Sequence, residues 1–288
     1  MKYDIQNFIG VFDSGIGGIS VLNELLNLMP DENYIYFADS ANFPYGKKSK
    51  SELVNIGQGI IGEFANHNAK SIVIACNTMS TSDMPSFSAL YPDIKMFGTF
   101  PSFTHIFKPG LTISEDNISF NRENGLKINR NKKKLLIIAT TSTCKSKFLN
   151  ELIKETNGLM SIYVEPADFI AKAVERNELD SYEFNNELKS LLNDYLDIDY
   201  LMLGCTHFPF ALNKIKSILG DKVQITSSCE TTASNCYKYL SDNNLLNNSQ
   251  NAYIKIIDYN INDEKKELYQ NLINTKGKSH TILFGKTF

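Results

Sequence analysis

The amino-acid sequence predicts an α/β protein that is built on parallel β-sheets. Short apolar runs alternate with amphipathic segments along most of the chain, which is the pattern of alternating strands and helices. The runs at 71–75 and 135–139 are almost entirely apolar, reading SIVIA and LLIIA. Strands of this kind suit a parallel sheet that helices cover on both faces.

The same pattern places the individual elements. We expect strands at 8–12, 34–37, 71–75, 95–98, 135–139, 161–164, 200–204, 223–226 and 253–257. We expect helices at 18–28, 49–66, 143–155, 182–195, 209–218 and 231–240. The segment 108–134 breaks the rhythm because it is polar and ends in the basic run NRNKKK. We interpret it as an exposed loop or hairpin whose basic run is a solvated turn, with a phosphate or nucleic-acid contact as the alternative.

Composition and charge exclude several classes of protein. The formal net charge of the 288 residues is only -3, so no strong field draws in nucleic acid or a membrane surface. No apolar run is long enough for a signal peptide or a membrane span, and we expect a cytoplasmic location. The five cysteines include no CxxC pair, which argues against a disulfide framework and against a zinc site. We therefore expect no metal.

Two of the cysteines occur in matching surroundings. Cys76 follows SIVIA and precedes Asn77, while Cys205 follows YLMLG and precedes Thr206. One cysteine after a strand is commonly a core residue, but the repeated design favours reactive thiols. Ligands of open α/β sheets bind at the carboxyl ends of strands, and a helix N-terminus can lower the pKa of a thiol. The sequence therefore predicts two similar α/β domains whose thiols face each other across a cleft.

Further polar groups lie at predicted strand ends. The Asp13–Gly18 loop has three glycines that expose backbone amides, but it lacks the spacing of a phosphate loop, so a carboxylate suits it better. Tyr45 lies in a Pro-Tyr-Gly turn, and Thr140 and Thr143 follow the strand LLIIA. His207 is either a structural histidine or a proton partner of Cys205. Since none of these groups is Lys or Arg, we expect hydroxyls, amides and backbone N–H groups to hold the substrate.

Four blocks of the sequence resemble the signature blocks of glutamate racemases in order and spacing. They are Phe12-Asp13-Ser14-Gly15-Ile16-Gly17-Gly18, Pro44-Tyr45-Gly46, Ala75-Cys76-Asn77-Thr78 and Gly204-Cys205-Thr206-His207-Phe208-Pro209. The similarity covers roughly residues 9–240. Within the wider aspartate/glutamate racemase group, His207 after Gly-Cys-Thr resembles the glutamate branch more than the aspartate branch.

The resemblance implies a fold and a domain division. It implies two flavodoxin-like domains, each a doubly wound parallel sheet, which are related by pseudo-twofold symmetry with the active site in the cleft between them. We expect the first domain, with Cys76, to comprise residues 1–100 and 211–288. We expect the second domain, with Cys205, to comprise residues 101–210.

The resemblance also implies roles for individual residues. Cys76 and Cys205 are the implied catalytic pair, and Asp13, His207 and Glu175 assist them. The implied substrate contacts are Asp13, Ser14, Tyr45, Gly46, Asn77, Thr78, Thr140, Thr143, Thr206 and His207.

Two opposed thiols fit a racemisation. One thiolate removes the α-proton and the other thiol returns a proton to the opposite face. We find no Lys placed for a Schiff base and no metal set, so we expect a cofactor-independent enzyme. By resemblance it interconverts L- and D-glutamate, supplies D-glutamate for peptidoglycan and is a candidate homodimer. The alternatives are a racemase of another amino acid such as aspartate, a hydantoin racemase-like enzyme, and a non-catalytic binding protein, against which the two intact thiols argue.

Overall fold

The computed structural model describes residues 7–102, 132–156, 160–247, 252–275 and 280–288. Of the segment expected to be an exposed loop or hairpin, residues 108–131 lie outside this range. The described residues form two β-sheets in which every strand pair is parallel. This confirms the predicted fold class.

The first sheet has six strands within the described part of the chain. They are β1 (Ile9–Asp13), β2 (Tyr34–Ala38), β3 (Ser71–Ile74), β4 (Lys95–Gly98), β9 (Tyr253–Asp258) and β10 (Thr281–Gly285). Their order is β10-β9-β2-β1-β3-β4. Strand β10 was not predicted, and the other five lie within one residue of their predicted positions.

The second sheet has four strands in the same described ranges. They are β5 (Lys134–Ala139), β6 (Ser161–Pro166), β7 (Tyr200–Gly204) and β8 (Gln224–Ser227), in the order β6-β5-β7-β8. The first four strands of each half therefore follow one plan, in the order second, first, third, fourth. A shared plan is what a pseudo-twofold relation between two domains requires.

Helices connect the strands. Those around the first sheet are α1 (Ile19–Leu28), α2 (Lys50–Asn66), α3 (Asn77–Leu90), α9 (Cys229–Asp242) and α10 (Asp263–Leu272). Those around the second are α4 (Thr141–Cys144), α5 (Lys147–Glu155), α6 (Asp168–Glu175), α7 (Tyr182–Leu192) and α8 (Leu212–Leu219). The helix predicted at 143–155 is two helices, because the Ser146 side chain accepts from Leu149 N–H and begins α5 anew. No helix of the described residues is both long and apolar enough to cross a membrane.

The chain crosses between the sheets twice. It leaves the first sheet after β4, enters the second at β5, and returns through α9, which packs on α1. The predicted first-domain range 211–288 includes β8, whereas β8 pairs with β7 in the second sheet. The backbone hydrogen bonds of β8 therefore place the return after β8, at the start of α9.

The largest apolar cluster joins the two halves. It contains Val11 and Ile254 of the first sheet together with Leu136 and Leu203 of the second. The alternate residues of β5, such as Leu135, pack into a separate cluster on the other face. Both faces of the central strands are thus buried, as their apolar sequences predict.

Candidate active site

A cavity of about 360 Å³ opens at the carboxyl ends of the strands of both sheets. Both Cys76 and Cys205 line it. Cys205 directly follows β7, and one residue separates Cys76 from the end of β3. The structure therefore brings the two predicted thiols to one space from opposite domains. The other predicted site residues that line the cavity are Asp13, Ser14, Tyr45, Gly46, Asn77, Thr78, Thr140, Thr206 and His207.

Cys76 is a protonated thiol at neutral pH. It is buried at the N-cap position of α3, and a hydrogen bond links it to Asp13. Burial raises the pKa of Cys76 well above its usual value and the Asp13 carboxylate raises it further, while the backbone N–H of Met79 lowers it. The lowering that a helix N-terminus was expected to produce is therefore outweighed by desolvation.

Asp13 stands at the end of β1, beside Cys76, because β1 and β3 are adjacent parallel strands. Its Oδ1 accepts from Ser14 N–H at 2.7 Å, and its Oδ2 accepts from Thr206 Oγ1 of the other domain at 3.0 Å. Burial raises the pKa of Asp13, although His207, Cys76 and its hydrogen-bond donors oppose the rise. A carboxylate with a raised pKa that contacts a thiol can take up and return that thiol's proton.

Cys205 has a histidine as its partner. Its Sγ lies 3.7 Å from Nδ1 of His207, whose Nε2 lies 2.8 Å from Oε1 of Glu175. Burial lowers the pKa of His207, but its contacts with Cys205 and Glu175 outweigh burial and raise that pKa well above its usual value. The imidazolium is thus placed to donate a hydrogen bond to the sulfur of Cys205. Glu175 does not line the cavity and acts from behind His207.

The glycines of the loop after β1 permit this arrangement. A Cβ on Gly15 would lie 1.9 Å from Oε1 of Glu175, and a Cβ on Gly17 would lie 2.1 Å from Nδ1 of His207. The backbone N–H of Ile16 donates to Glu175 Oε1 at 2.6 Å. The exposed amides of this loop suggested a place for a carboxylate, and the carboxylate that contacts the Ile16 amide is that of Glu175 from the second domain.

Threonine hydroxyls meet across the cavity. Oγ1 of Thr78, in the first domain, lies 3.2 Å from Oγ1 of Thr140, in the second. Thr140 Oγ1 donates to Thr143 Oγ1 at 3.0 Å, and Thr143 is fully buried and does not line the cavity. Thr143 therefore supports Thr140, whereas the resemblance implied a substrate contact.

Several cavity residues were missed by the sequence reasoning. They are Phe43, Pro44, Lys47, Thr141, Asp168, Ala171 and Lys172. Asp168 begins α6, a helix that was not predicted, and its Oδ2 accepts from the backbone N–H of Thr141 at 3.0 Å. Lys47 and Lys172 are exposed residues from opposite domains, so the cavity has cationic groups that were not expected. Phe43, Pro44 and Lys47 adjoin the predicted Tyr45 and Gly46, which is the signal that could have found them.

No group of three or more His, Cys, Asp or Glu side chains within the described ranges has the geometry to hold a metal ion.

Two solved glutamate racemases have this architecture. The glutamate racemase of Francisella tularensis, solved with D-glutamate, has a TM-score of 0.75 at 24% identity over 98% of both chains. The Thermus thermophilus glutamate racemase, solved with β-chloro-D-alanine, has a TM-score of 0.70 at 25% identity over 98% of both chains. Both structures share the two-domain α/β fold of this chain.

Curated relatives specify the family. Glutamate racemase of Clostridium perfringens is 31% identical over 280 residues, which is 96% of this chain and all of the relative. Glutamate racemase of Clostridium novyi is 31% identical over 260 residues, or 89% of this chain and 93% of the relative. The chain belongs to the glutamate racemase family. No family model matches the sequence.

Proposed function

We propose that this protein is a glutamate racemase, which interconverts L- and D-glutamate with two thiols and no cofactor. The observation that carries the proposal is the position of Cys76 and Cys205, which end matched strands of opposite domains and line one cavity. An α-carbon held between two such groups can lose a proton to one sulfur and gain a proton from the other.

Each thiol has its own proton partner, and these partners support a division of roles. Cys76 contacts the Asp13 carboxylate, whereas Cys205 contacts the His207 imidazole that Glu175 holds. When Cys205 is the thiolate, it removes the α-proton and Cys76 delivers its own proton to the opposite face. The product leaves with the two sulfurs in exchanged protonation states. The next substrate of opposite hand reverses the exchange. Alternatively, His207 releases its proton to solvent and takes that of Cys205, while Asp13 takes a proton from solvent and passes it to Cys76.

The cavity suits a small dicarboxylic amino acid. The hydroxyls of Thr78, Thr140 and Thr206 and the amide of Asn77 supply neutral hydrogen-bonding groups. Of these groups, the Asn77 amide and the Thr78 hydroxyl can donate to the substrate, because the hydroxyl protons of Thr140 and Thr206 go to Thr143 and Asp13. Such donors, in a buried site, stabilise the negative charge that develops on the substrate carboxylate when the α-proton leaves. Lys47 and Lys172 at the rim add positive charge that favours an anionic side chain over the uncharged ring of a hydantoin.

The wider role of the protein rests on its family alone. We propose that it supplies D-glutamate for peptidoglycan in the cytoplasm. A homodimer is the assembly that we propose on the same ground.

One assay tests the proposed activity. The purified protein, dialysed against EDTA and free of pyridoxal phosphate, is incubated separately with L-Glu, D-Glu, L-Asp and D-Asp while circular dichroism is followed. We expect both glutamate enantiomers to lose their signal, with little change in either aspartate. Activity confined to aspartate, or activity lost on dialysis and restored by a cofactor, would overturn the proposal.

A further inference from the structure

Ser20 makes an unusual set of contacts just outside the cavity. It lies in the first turn of α1, and its buried Oγ is 2.7 Å from the backbone oxygen of Thr206 and 2.9 Å from that of Gly17. The same Oγ is 3.2 Å from Sγ of Cys229, the first residue of α9. Neither Ser20 nor Cys229 lines the cavity.

The direction of these hydrogen bonds follows from the proton count. Carbonyl oxygens only accept, so the single hydroxyl proton of Ser20 points to them, with Thr206 O the nearer. The lone pairs of Ser20 Oγ are then free to accept from the S–H of Cys229, whose sulfur also has a hydrogen bond with the side chain of Ser227. Burial raises the pKa of Cys229 to about 11, so this thiol keeps its proton at neutral pH. Cys229 therefore donates to Ser20, and Ser20 donates to the carbonyl of Thr206.

This short chain of hydrogen bonds joins the two domains at the second thiol. Thr206 lies between Cys205 and His207, in the loop that follows β7 of the second sheet. The first domain holds this residue twice, because Thr206 Oγ1 donates to Asp13 while its carbonyl accepts from Ser20. In the described part of the chain, the loop of Cys76 makes no side-chain hydrogen bond with Ser20.

We propose that Ser20, supported by the thiol of Cys229, is a positioning residue that fixes Cys205 against the cavity. The inference rests on the proposed function, since it concerns the placement of one of the two acid/base groups. It predicts different effects on the two thiols, because removal of the Ser20 hydroxyl should displace Cys205 and leave Cys76 in place. A purely structural contribution to folding would affect both thiols alike.

The first test measures the placement of the thiols without reference to activity. The wild type and Ser20→Ala are treated with iodoacetamide, which alkylates a cysteine as iodide leaves and a sulfur–carbon bond forms. Mass spectrometry follows the alkylation of each cysteine with time. Cys76 and Cys205 are equally shielded in the wild type, at 6% and 7% exposed. Loss of a buried hydrogen bond should raise the alkylation rate of Cys205 about fivefold relative to Cys76. An equal change at both thiols, or none, overturns the proposal.

The second test measures proton abstraction on each face. With β-chloroalanine, the base removes the α-proton while the Cβ–Cl bond breaks, so chloride and 2-aminoacrylate form without help from the second thiol. The enantiomer that Cys76→Ser still processes identifies the face served by Cys205. Ser20→Ala should release chloride from that enantiomer roughly tenfold more slowly, with little change for the other. Equal loss from both enantiomers contradicts the inference.

The chain offers matched controls. Cys229→Ser keeps a donor to Ser20 and should behave like the wild type, whereas Cys229→Ala should resemble Ser20→Ala. Ser71 of β3 and Cys236 of α9 form a second buried pair of the same chemistry, with Oγ and Sγ 3.9 Å apart. Ser71→Ala and Cys236→Ala should leave unchanged the ratio of the chloride-release rates from the two enantiomers of β-chloroalanine. A shift in that ratio in these variants would show that any cavity in the core produces the effect.

The result for the wild type separates the two proposals. Failure of the wild type to racemise glutamate counts against the proposed function, whatever the variants show. A wild type that racemises glutamate, together with symmetric losses in Ser20→Ala, overturns only the role of Ser20. If Ser20→Ala does not fold, the effect on Cys205 relative to Cys76 can be tested by comparing Cys229→Ala with Cys229→Ser.

Discussion

The two cysteines have similar backbone positions and different chemical surroundings. Cys76 has a carboxylate partner, and burial keeps its proton on the sulfur, whereas Cys205 has an imidazole partner whose pKa is raised. A negative group beside one thiol and a positive group beside the other give the two sides of the cavity opposite electrostatic surroundings. An enzyme that must start with one thiol and one thiolate needs such a difference.

The paired assignment predicts opposite enantiomer preferences for the two serine variants. In Cys76→Ser or Cys205→Ser a much weaker acid/base group replaces one thiol, so racemisation should fall by about 10²–10⁴-fold. The remaining thiol should still drive elimination from a β-chloro amino acid of one hand. By family resemblance Cys205→Ser should keep elimination from the D-form, and Cys76→Ser from the L-form. The same preference in both variants would mean that one base serves both faces.

Asp13 provides a prediction on pH dependence. Burial and the Asp13 carboxylate both raise the pKa of Cys76, so its thiolate fraction grows as the pH rises towards that pKa. Asp13→Asn removes the charge, and Cys76 should then react with iodoacetamide at a lower pH than in the wild type. Racemisation should nevertheless fall by roughly 10²-fold, because the variant has no carboxylate to exchange a proton with Cys76. Faster alkylation with undiminished racemisation would exclude a proton-transfer role for Asp13.

The sequence located the thiols but not all of their neighbours. Cys76 and Cys205 could be predicted because each follows an apolar strand, and parallel strands end at a common edge. Asp168 and Lys172 reach the cavity from α6, and nothing in the local sequence shows which turn of a short helix faces a cleft. Thr143 contacts Thr140 through a local helix cap, in which Thr140 Oγ1 accepts from Thr143 N–H, so that its side chain is buried behind Thr140.

Among the elements, the loop from β1 to α1 contains two glycines at which a Cβ would lie close to side chains of the second domain. Gly17 leaves room for the imidazole of His207, which is itself held by Glu175. In Gly17→Ala the new Cβ should displace His207 from Cys205 and lower racemisation at least tenfold, with a loss of stability of about 1–3 kcal/mol. Steady-state kinetics and urea unfolding measure the two effects.

Gly59 in α2 is the matched control for this variant. A Cβ there meets no atom within 4 Å, so Gly59→Ala should keep full activity and gain about 0.5–1 kcal/mol from helix propensity. Full activity in Gly17→Ala would show that His207 can move without loss of function.

The accuracy of the element predictions followed the strength of the apolar pattern. Central strands such as β1 and β5 were found because nearly all of their residues are buried and therefore apolar. The edge strand β10 was missed although the equally part-buried β8 was found, and its pairing with β9 is visible only in the fold. Helix α3 follows Cys76 as expected, but its Ser, Thr and Pro85 and its non-helical Asp83 hide its extent from the sequence.

At the scale of the whole molecule, the two domains share one core and one site. The largest apolar cluster contains strands of both sheets, and the chain crosses between the sheets twice. Polar bonds reinforce this connection at the cavity, where Thr206 donates to Asp13 and Ile16 donates to Glu175. Each bond joins groups from opposite domains and lies beside one of the thiols, so the distance across the cavity depends on the packing of the domains.

This connection predicts how the molecule unfolds. Because the core is shared, calorimetry should give one cooperative transition with equal calorimetric and van't Hoff enthalpies. A substrate that touches both domains should raise the midpoint of that single transition. Glutamate at a hundred times its Kd adds about 2.7 kcal/mol, which at roughly 2 °C per kcal/mol is a shift of about 5 °C. L-alanine, without the side-chain carboxylate, serves as the control and should produce a much smaller shift. Two resolved transitions, of which glutamate moves only one, would mean that the domains unfold independently and that the substrate is held by one domain alone.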